Sequence, residues 1–318
     1  MNTPLFLVDP ETFALPFVGD APPIGVIDLD LAGDDIGRLV MPPFPLIGAG
    51  NPAHPLAPQL DAVTGSPVML QRIVANARRT PETAAVAVQT LRLIEHLETG
   101  PALIAESLAY GLLQGSAEHA AWLASRPATP ALPASPAGRV SLTRKERHLD
   151  IRLDRVGALN AIDCPMRDAL REAFELAALD PEIDRVTMRG LGKAFSVGAD
   201  LAEFGTTRDP ATAHAIRMQT LPAHAIARCA EKLDVHIQGA CVGSALEMAS
   251  FARRVTAGPR AWFQLPELAM GLIPGAGGCV SISRRIGRQD ATLLILSGRR
   301  IDARGARAIG LVDAIVDD

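Results

Sequence analysis

The stretch Gln238-Gly-Ala-Cys-Val-Gly-Ser-Ala-Leu-Glu247 decides the fold prediction, because it runs from an extended apolar segment straight into a helical one. Its glycine, alanine and serine residues let a ligand approach the main chain closely. The start of a helix adds backbone N–H groups without a partner and the positive end of the helix dipole. The stretch therefore predicts a strand, a tight turn and a helix, with turn amides that can face a ligand. Taken alone, such a turn more often only connects the two elements.

A second stretch of the same kind lies upstream, Gly192-Lys-Ala-Phe-Ser-Val-Gly-Ala-Asp-Leu201. Two backbone N–H groups that converge on one oxygen form an oxyanion hole, which stabilises an enolate or a tetrahedral anion. Neither stretch has the GxxxxGK[ST] pattern of a phosphate loop or the GxGxxG pattern of a dinucleotide-binding turn. The pair is therefore a candidate for holding an oxyanion.

Residues Arg139 to Asp318 resemble the crotonase (enoyl-CoA hydratase/isomerase) superfamily. Five segments carry the resemblance and follow the order of the family's motifs: Asp154–Ala161, Ala194–Leu201, Gln238–Ala249, Phe263–Gly278 and Leu296–Val312. One segment alone would be weak evidence, whereas five in order leave little room for accidental agreement. The resemblance implies an α/β fold, a crotonase-like spiral of ββα units with additional packed helices. The alternation of strand and helix patterns after residue 139 indicates the same α/β class.

The resemblance also implies roles for individual residues. The backbone N–H groups of Ala199 and Ser244 would form the oxyanion hole, and Ser244 stands where the family commonly has glycine. Glu247 and Glu267 match the two catalytic glutamates of the family's hydratases. Two carboxyl groups suit water addition, because one takes a proton from water while the other delivers or orients a second proton. Outside this motif context, a glutamate of either kind would more often be a solvated charge.

Contacts to the substrate or to CoA are implied at four further positions: Ala158, Ser196, Gly198 and Gly243. Val156 and Gly157 replace the proline and the basic residue that are frequent in the family, which puts one usual CoA-phosphate contact in question. Asp200 is expected to bond nearby backbone donors, in a structural role.

The function that follows from the resemblance is addition of water to a 2-enoyl-CoA thioester. An isomerase, thioesterase or decarboxylase on the same scaffold stays open, because one oxyanion hole serves many reactions and fold does not determine chemistry. A protein that binds acyl-CoA without turnover stays open as well. No cofactor is implied, since the CoA thioester is the substrate. No metal is expected, because the four cysteines and seven histidines show no ligand spacing.

Composition limits the partners. The chain has 318 residues, 48% hydrophobic and 21% charged, with a net charge of -4, so a globular protein without a nucleic-acid partner is expected. No apolar run is long enough for a bilayer and the first residues are not typical of a secretion signal, so no membrane association and a cytoplasmic location are expected. A homotrimer or hexamer is implied by the resemblance only.

The first 126 residues have a different character. Most of the 25 prolines lie there, and residues 1–68 are expected to form turns and extended segments, with one strand at Ile24–Leu31. Apolar residues at helical spacing then predict three helices: Met69–Arg79, Pro81–Leu97 and Pro101–Ser125. Residues 127–138 are rich in proline and alanine and are expected to form a linker to the crotonase-like core, residues 139–318.

The order of these parts is unusual for the family. Family members continue with helices beyond the segment that matches Leu296–Val312, and residues 69–126 resemble that missing tail, with Ala102–Arg126 similar to its closing helices. The sequence therefore suggests a circular permutation in which the tail helices come first. An unrelated helical N-terminal domain is the alternative.

Overall fold

The structure, a computed structural model, describes residues 6–33, 37–126 and 136–317. Its N-terminal part contains a three-stranded parallel sheet in the order β1 (Gly25–Asp28), β2 (Leu46–Ala49) and β3 (Ala62–Thr64). Strand β1 confirms the strand expected within residues 24–31, whereas β2 and β3 were not expected. Both are short segments in a proline-rich region. The prolines lie outside the two strands, so the strands keep the backbone N–H groups that the sheet hydrogen bonds require.

Four helices follow the sheet: α1 (Pro67–Arg79), α2 (Pro81–Ile94), α3 (Thr99–Gln114) and α4 (Ala117–Ser125). The prediction of one helix over residues 101–125 was wrong, because the chain breaks at Gly115. The Ser116 side chain accepts a hydrogen bond from the His119 amide and so caps a new helix. Pro101 lies inside the first turn of α3, where proline is tolerated because the amides of a first turn have no partner within the helix.

The C-terminal region alternates strands and helices: β4 (Arg139–Lys145), β5 (His148–Asp154), α5 (Cys164–Leu179), β6 (Arg185–Gly190), α6 (Pro210–Thr220), α7 (Ala223–Cys229), β7 (Leu233–Ile237), β8 (Ala240–Val242), α8 (Ser244–Ala249), β9 (Arg254–Ala257), β10 (Trp262–Gln264), α9 (Gly278–Ile286), α10 (Arg288–Ser297), β11 (Ile301–Asp302), α11 (Ala303–Ala308) and β12 (Ala314–Ile315). The large sheet has the order β12-β9-β7-β6-β5-β4 and the small sheet the order β11-β10-β8. The predicted α/β class and the ββα units are confirmed. The helical segment between β6 and β7 is divided at Pro222 into α6 and α7.

The strand pairs β7/β8 and β9/β10 are each divided between the two sheets, whereas β4 and β5 both belong to the large sheet. Strand β7 pairs within the large sheet, and β8, only two residues further on, pairs within the small sheet. Gly239 makes this change of direction with a positive φ of 58°, and a side chain there would collide with the carbonyl oxygen of Lys193. The following strands repeat the pattern, since β9 joins the large sheet and β10 the small one. The second sheet thereby carries β8 and the start of α8 to the interior of the molecule.

The N-terminal helices share one hydrophobic core with the C-terminal region. Val88 and Leu103 belong to the same buried cluster as Val280 and Leu294. Helices α1 and α2 pack against α10, and α3 packs against α6 and α9. The Asn76 side chain adds polar contacts, donating to the carbonyl oxygens at the end of α10 at 2.9 and 3.0 Å. These contacts hold α1 to α3 against the C-terminal helices α6, α9 and α10.

None of the helices in the described ranges is long and apolar enough to span a membrane. Of the linker expected over residues 127–138, residues 127–135 lie outside the described ranges.

Candidate active site

The two glycine-bearing turns predicted from the sequence lie side by side. The Ser196 amide donates to the Ala240 carbonyl at 3.0 Å, and the Val242 amide donates back to the Ser196 carbonyl at 3.1 Å. Gly198 allows the turns to come this close, because its φ is +87° and a Cβ there would lie 2.6 Å from the Val242 carbonyl oxygen. The pairing brings Ala199 in the first turn next to the start of α8 in the second.

The two amides predicted to hold an oxyanion differ from their neighbours in their hydrogen bonding. Their neighbours are all engaged, since the amide of Gly198 donates to a serine hydroxyl, that of Asp200 to a carbonyl, and that of Gly243 to the Gln264 carbonyl. Within the described residues the amides of Ala199 and Ser244 donate to no acceptor. Both residues line one cavity of about 440 Å³. Ser244 is also the first residue of α8, so a free amide is what the helix geometry requires.

The Ser244 hydroxyl is buried and has no hydrogen-bond partner among the described residues. It lies in the wall of the same cavity, directly beside the free amide of its own residue. A buried polar group without a partner is costly. The Ser244 hydroxyl is therefore an unpaired polar group beside the cavity, and the side chain occupies space that a glycine would leave free.

Glu247 lies one helical turn beyond Ser244, on α8, and is 2% exposed. Its Oε2 accepts hydrogen bonds from the amides of Ala276 at 2.6 Å and Gly278 at 2.9 Å. The carboxylate can come this close because a Cβ on Gly278 would lie 2.7 Å from Oε2. Burial raises the pKa of Glu247 to about 7, and the two amides oppose that rise. A carboxyl group in this state can accept a proton at neutral pH.

Glu267 follows Pro266 and begins the short 3₁₀ turn Glu267–Met270. It is 9% exposed, and a Cβ on Gly243 would lie 2.7 Å from its Oε1, so the carboxyl group lies against the second turn. Its Oε2 is buried and has no hydrogen-bond partner within the described ranges. Burial, and secondarily the charge of Glu247, raise the pKa of Glu267 well above 4.5. Burial therefore favours the protonated form of Glu267 over that of an exposed glutamate.

Both glutamates line the same cavity as the two free amides, together with Gly198 and Gly243. The remaining wall is mostly apolar, as is usual for a small-molecule pocket with a few placed polar groups: Ile162, Val197, Leu201, Phe204, Ile216, Leu221, Met248 and Met270. The structure thus brings together the four residues that the sequence assigned to catalysis and to the oxyanion hole.

Ser196 and Ala158, predicted to contact CoA, are not part of the cavity wall. Ser196 is fully buried, and its Oγ donates to the Asn160 carbonyl at 2.7 Å and accepts from the Gly198 amide at 3.1 Å. Its side chain therefore shapes the first turn, while a contact of either residue with CoA stays a prediction. Asp200 has the structural role expected of it, pairing with Arg155 at 2.7 Å and accepting from the Ala202 amide.

The N-terminal helices contribute residues that the sequence did not predict. Tyr110 and Gln114, both on α3, line the cavity. Glu106, one turn earlier, is 1% exposed and accepts hydrogen bonds from the amides of Gly277 at 2.7 Å and Val280 at 3.2 Å. Burial and the charge of Glu247 raise the pKa of Glu106 well above 4.5. A carboxylate on the apolar face of a predicted helix was the signal in the sequence that could have identified it.

No group of three or more His, Cys, Asp or Glu side chains in the described part of the chain could hold a metal ion.

The model of the enoyl-CoA hydratase/isomerase family matches residues 144–318. Among curated proteins, the chain is 32% identical over 174 residues to 2,3-dehydroadipyl-CoA hydratase of Escherichia coli, covering 55% of this chain and 68% of that protein. It is 31% identical over 167 residues to the mitochondrial enoyl-CoA hydratase of Pongo abelii, covering 52% and 56%. The matched part thus spans between about half and two thirds of these relatives.

Two solved structures of this kind are also similar to this chain in three dimensions. An enoyl-CoA hydratase of Thermoplasma volcanium aligns with a TM-score of 0.51 at 33% identity, covering 56% of this chain and 72% of that one. An enoyl-CoA hydratase/carnithine racemase of Magnetospirillum magneticum aligns with a TM-score of 0.52 at 30% identity, covering 56% and 68%.

Proposed function

The chain belongs to the enoyl-CoA hydratase/isomerase family, and on that premise we propose that it adds water across the double bond of a 2-enoyl-CoA thioester. The observation that carries the proposal is the shared cavity, in which two buried glutamates, both with raised pKa values, accompany two free backbone amides. Burial that raises the pKa of a glutamate prepares it for proton transfer near neutral pH.

In this proposal the amides of Ala199 and Ser244 donate to the thioester oxygen of the substrate. Negative charge develops on that oxygen as a nucleophile adds to C3, and donors fixed beforehand in a dry site stabilise the charge without reorganisation. The lack of an acceptor for the two amides among the residues that the structure describes supports this role.

Glu247 is proposed as the base and Glu267 as the acid. As the water oxygen bonds to C3, one water proton passes to the Glu247 carboxylate, whose pKa of about 7 suits a base at neutral pH. Glu267 holds a proton and gives it to C2, so the C2–C3 double bond becomes a single bond. The cycle ends with the proton on Glu247, and its return to Glu267 restores the starting state.

The hydration of crotonyl-CoA and of longer 2-enoyl-CoA esters tests this function. Formation of 3-hydroxyacyl-CoA is the expected result. Migration of the double bond without net hydration would instead indicate an isomerase, in which a single carboxyl group moves the proton. Tight binding of CoA esters by folded protein without turnover on any of them would indicate a binding protein.

We further propose that residues 69–126 replace the tail helices of the family, as a circular permutation. The position of α1 to α3 against α9 and α10, and the contribution of α3 to the cavity wall, support this arrangement. The homotrimer or hexamer and the cytoplasmic location remain predictions, of which the first is tested by the mass of the protein in solution.

A further inference from the structure

The cavity contains a buried cation that the proposed hydration does not use. Arg217, on α6, is 9% exposed and lines the cavity. Its Nε donates to the Ser107 hydroxyl at 3.0 Å, its Nη2 donates to the Ser107 carbonyl at 3.0 Å, and its Nη1 donates to the Gln114 side chain. Its Cζ lies 4.7 Å from the centre of the Tyr110 ring.

All of these partners are neutral. Within the described ranges no carboxylate oxygen lies within the 4.0 Å of an ion pair with Arg217. Four other largely buried arginines each have a carboxylate partner: Arg92 with Asp61, Arg155 with Asp200, Arg285 with Asp313 and Arg288 with Glu95. Burial of a charge without a counter-charge is unfavourable, so Arg217 is the exception that calls for an anion.

The arginine retains donors for such an anion. A guanidinium group has five N–H groups, and the three hydrogen bonds above leave one on Nη1 and one on Nη2. Two N–H groups are the number that a carboxylate engages in a bidentate pair.

Arg217 lies a short way beyond the catalytic groups. The Tyr110 ring packs directly on Gly275, in the turn whose next amide binds Glu247, and the guanidinium group lies over that ring. The cavity wall on the same helix is apolar, with Ala213 and Ile216. An acyl chain whose thioester oxygen bonds the two free amides therefore has an apolar path toward a cation within the same cavity.

Resting on the proposed function, we propose that the preferred substrates are ω-carboxyacyl thioesters of CoA, whose terminal carboxylate pairs with Arg217. The pair supplies a counter-charge at contact distance, which no carboxylate of the described residues provides, and Gln114 and Ser107 orient the guanidinium group toward it. Plain acyl chains of equal length would leave the cation unpaired and would bind more weakly.

Calorimetry with saturated esters tests the proposal independently of turnover. The probes are matched in chain length: succinyl- with butyryl-CoA, glutaryl- with pentanoyl-CoA, adipyl- with hexanoyl-CoA, and suberyl- with octanoyl-CoA. The expected result for the wild-type protein is a preference of about 10- to 100-fold for the ω-carboxy ester of at least one pair, because a desolvated charge pair is strong. Equal or weaker binding of every ω-carboxy ester would overturn the proposal.

Variants then assign the preference to Arg217. Arg217→Met should abolish the preference by weakening the binding of the ω-carboxy ester only, and Arg217→Lys should keep part of the preference. Arg304→Met, at an exposed position on α11, should leave the preference unchanged. If a folded Arg217→Met variant binds both esters more weakly by the same factor, Arg217 only connects α6 to α3, and the proposal is overturned. If Arg217→Met does not fold, an unchanged preference in Arg217→Lys and Arg217→Gln overturns it.

Turnover of the corresponding 2-enoyl esters separates the two proposals. Hydration of plain and ω-carboxy esters at equal kcat/KM refutes the carboxylate preference alone. Carboxylate-selective binding without hydration of any ester refutes the hydratase proposal alone.

Discussion

Glu106 and Glu247 accept hydrogen bonds from alternate backbone amides of one turn, residues 276–278. Glu247 accepts from Ala276 and Gly278, and Glu106 accepts from Gly277, which lies between them. Glu106 comes from the N-terminal helix α3, whereas Glu247 comes from α8, which begins at Ser244. The Glu247 carboxylate is therefore held by a turn that itself depends on a residue about 170 positions away along the chain.

The substitution Glu106→Gln tests this dependence. A glutamine keeps the shape but presents an NH₂ group to one of the amides of Gly277 and Val280, so one hydrogen bond becomes a clash of two donors. The expected loss in unfolding free energy is about 1–3 kcal/mol. We also expect kcat to fall while KM changes little, because Glu247 loses its alignment. Urea unfolding and hydration kinetics measure both. Glu98→Gln, at an exposed carboxylate beside the start of the same helix, is the matched control, and equal behaviour of the two variants would contradict the account.

Gly243→Ala tests the close approach of Glu267 to the second turn. Gly243 has a φ of +51°, and an added Cβ would lie 2.7 Å from Glu267 Oε1. Backbone strain and displacement of the carboxyl group should together cost about 1–3 kcal/mol of stability and lower kcat/KM. Gly157→Ala is the control, since no atom lies within 4 Å of a Cβ at that position. Wild-type kinetics in Gly243→Ala would show that Glu267 does not act at this place.

The pH dependence of stability tests the protonation of Glu267. Its pKa in the folded protein lies well above 4.5, so above that pH the folded state binds more protons than the unfolded state. The unfolding free energy contributed by Glu267 is therefore greatest at low pH and falls as the pH rises through the folded pKa. Glu267→Gln removes this fall, so its stability relative to the wild type should increase between pH 5 and pH 8. Denaturant titrations measure the difference. A difference in unfolding free energy that stays constant with pH would refute the assignment.

Cleavage of the linker tests the role of the N-terminal helices. A specific protease site placed within residues 127–135 would divide the chain between α4 and β4. Because α1 to α3 share a buried core with α9 and α10, the two halves should elute together in gel filtration and retain hydration activity. Separation of the halves, with activity retained by residues 139–318 alone, would argue for an independent N-terminal domain.

The local parts of the structure could be predicted from the sequence. Proline, glycine and the apolar spacing predicted β1, α1, α2 and the alternating C-terminal region, because these signals act over a few residues. The break at Gly115 was missed, since the apolar pattern continues through it and only the cap by Ser116 reveals it. Strand β2 was missed because its pairing partners are distant in the sequence.

The same distinction holds for the site. Glu247 and Glu267 lie in motifs, whereas Tyr110 and Arg217 reach the cavity, and Glu106 reaches the amide of Gly277, through contacts between segments more than 100 residues apart. Local periodicity contains no information on such contacts. The single hint was chemical, a carboxylate at position 106 within an apolar helical face.

The most direct test of the central claim is the hydration rate of crotonyl-CoA by Glu247→Gln and Glu267→Gln, compared with Glu172→Gln, whose side chain is 71% exposed. A two-carboxyl mechanism predicts that each of the first two variants loses about 10²- to 10⁴-fold in kcat while remaining folded. It predicts wild-type kcat for the third. Retention of wild-type hydration by either Glu247→Gln or Glu267→Gln would contradict the claim that the two carboxyl groups act together.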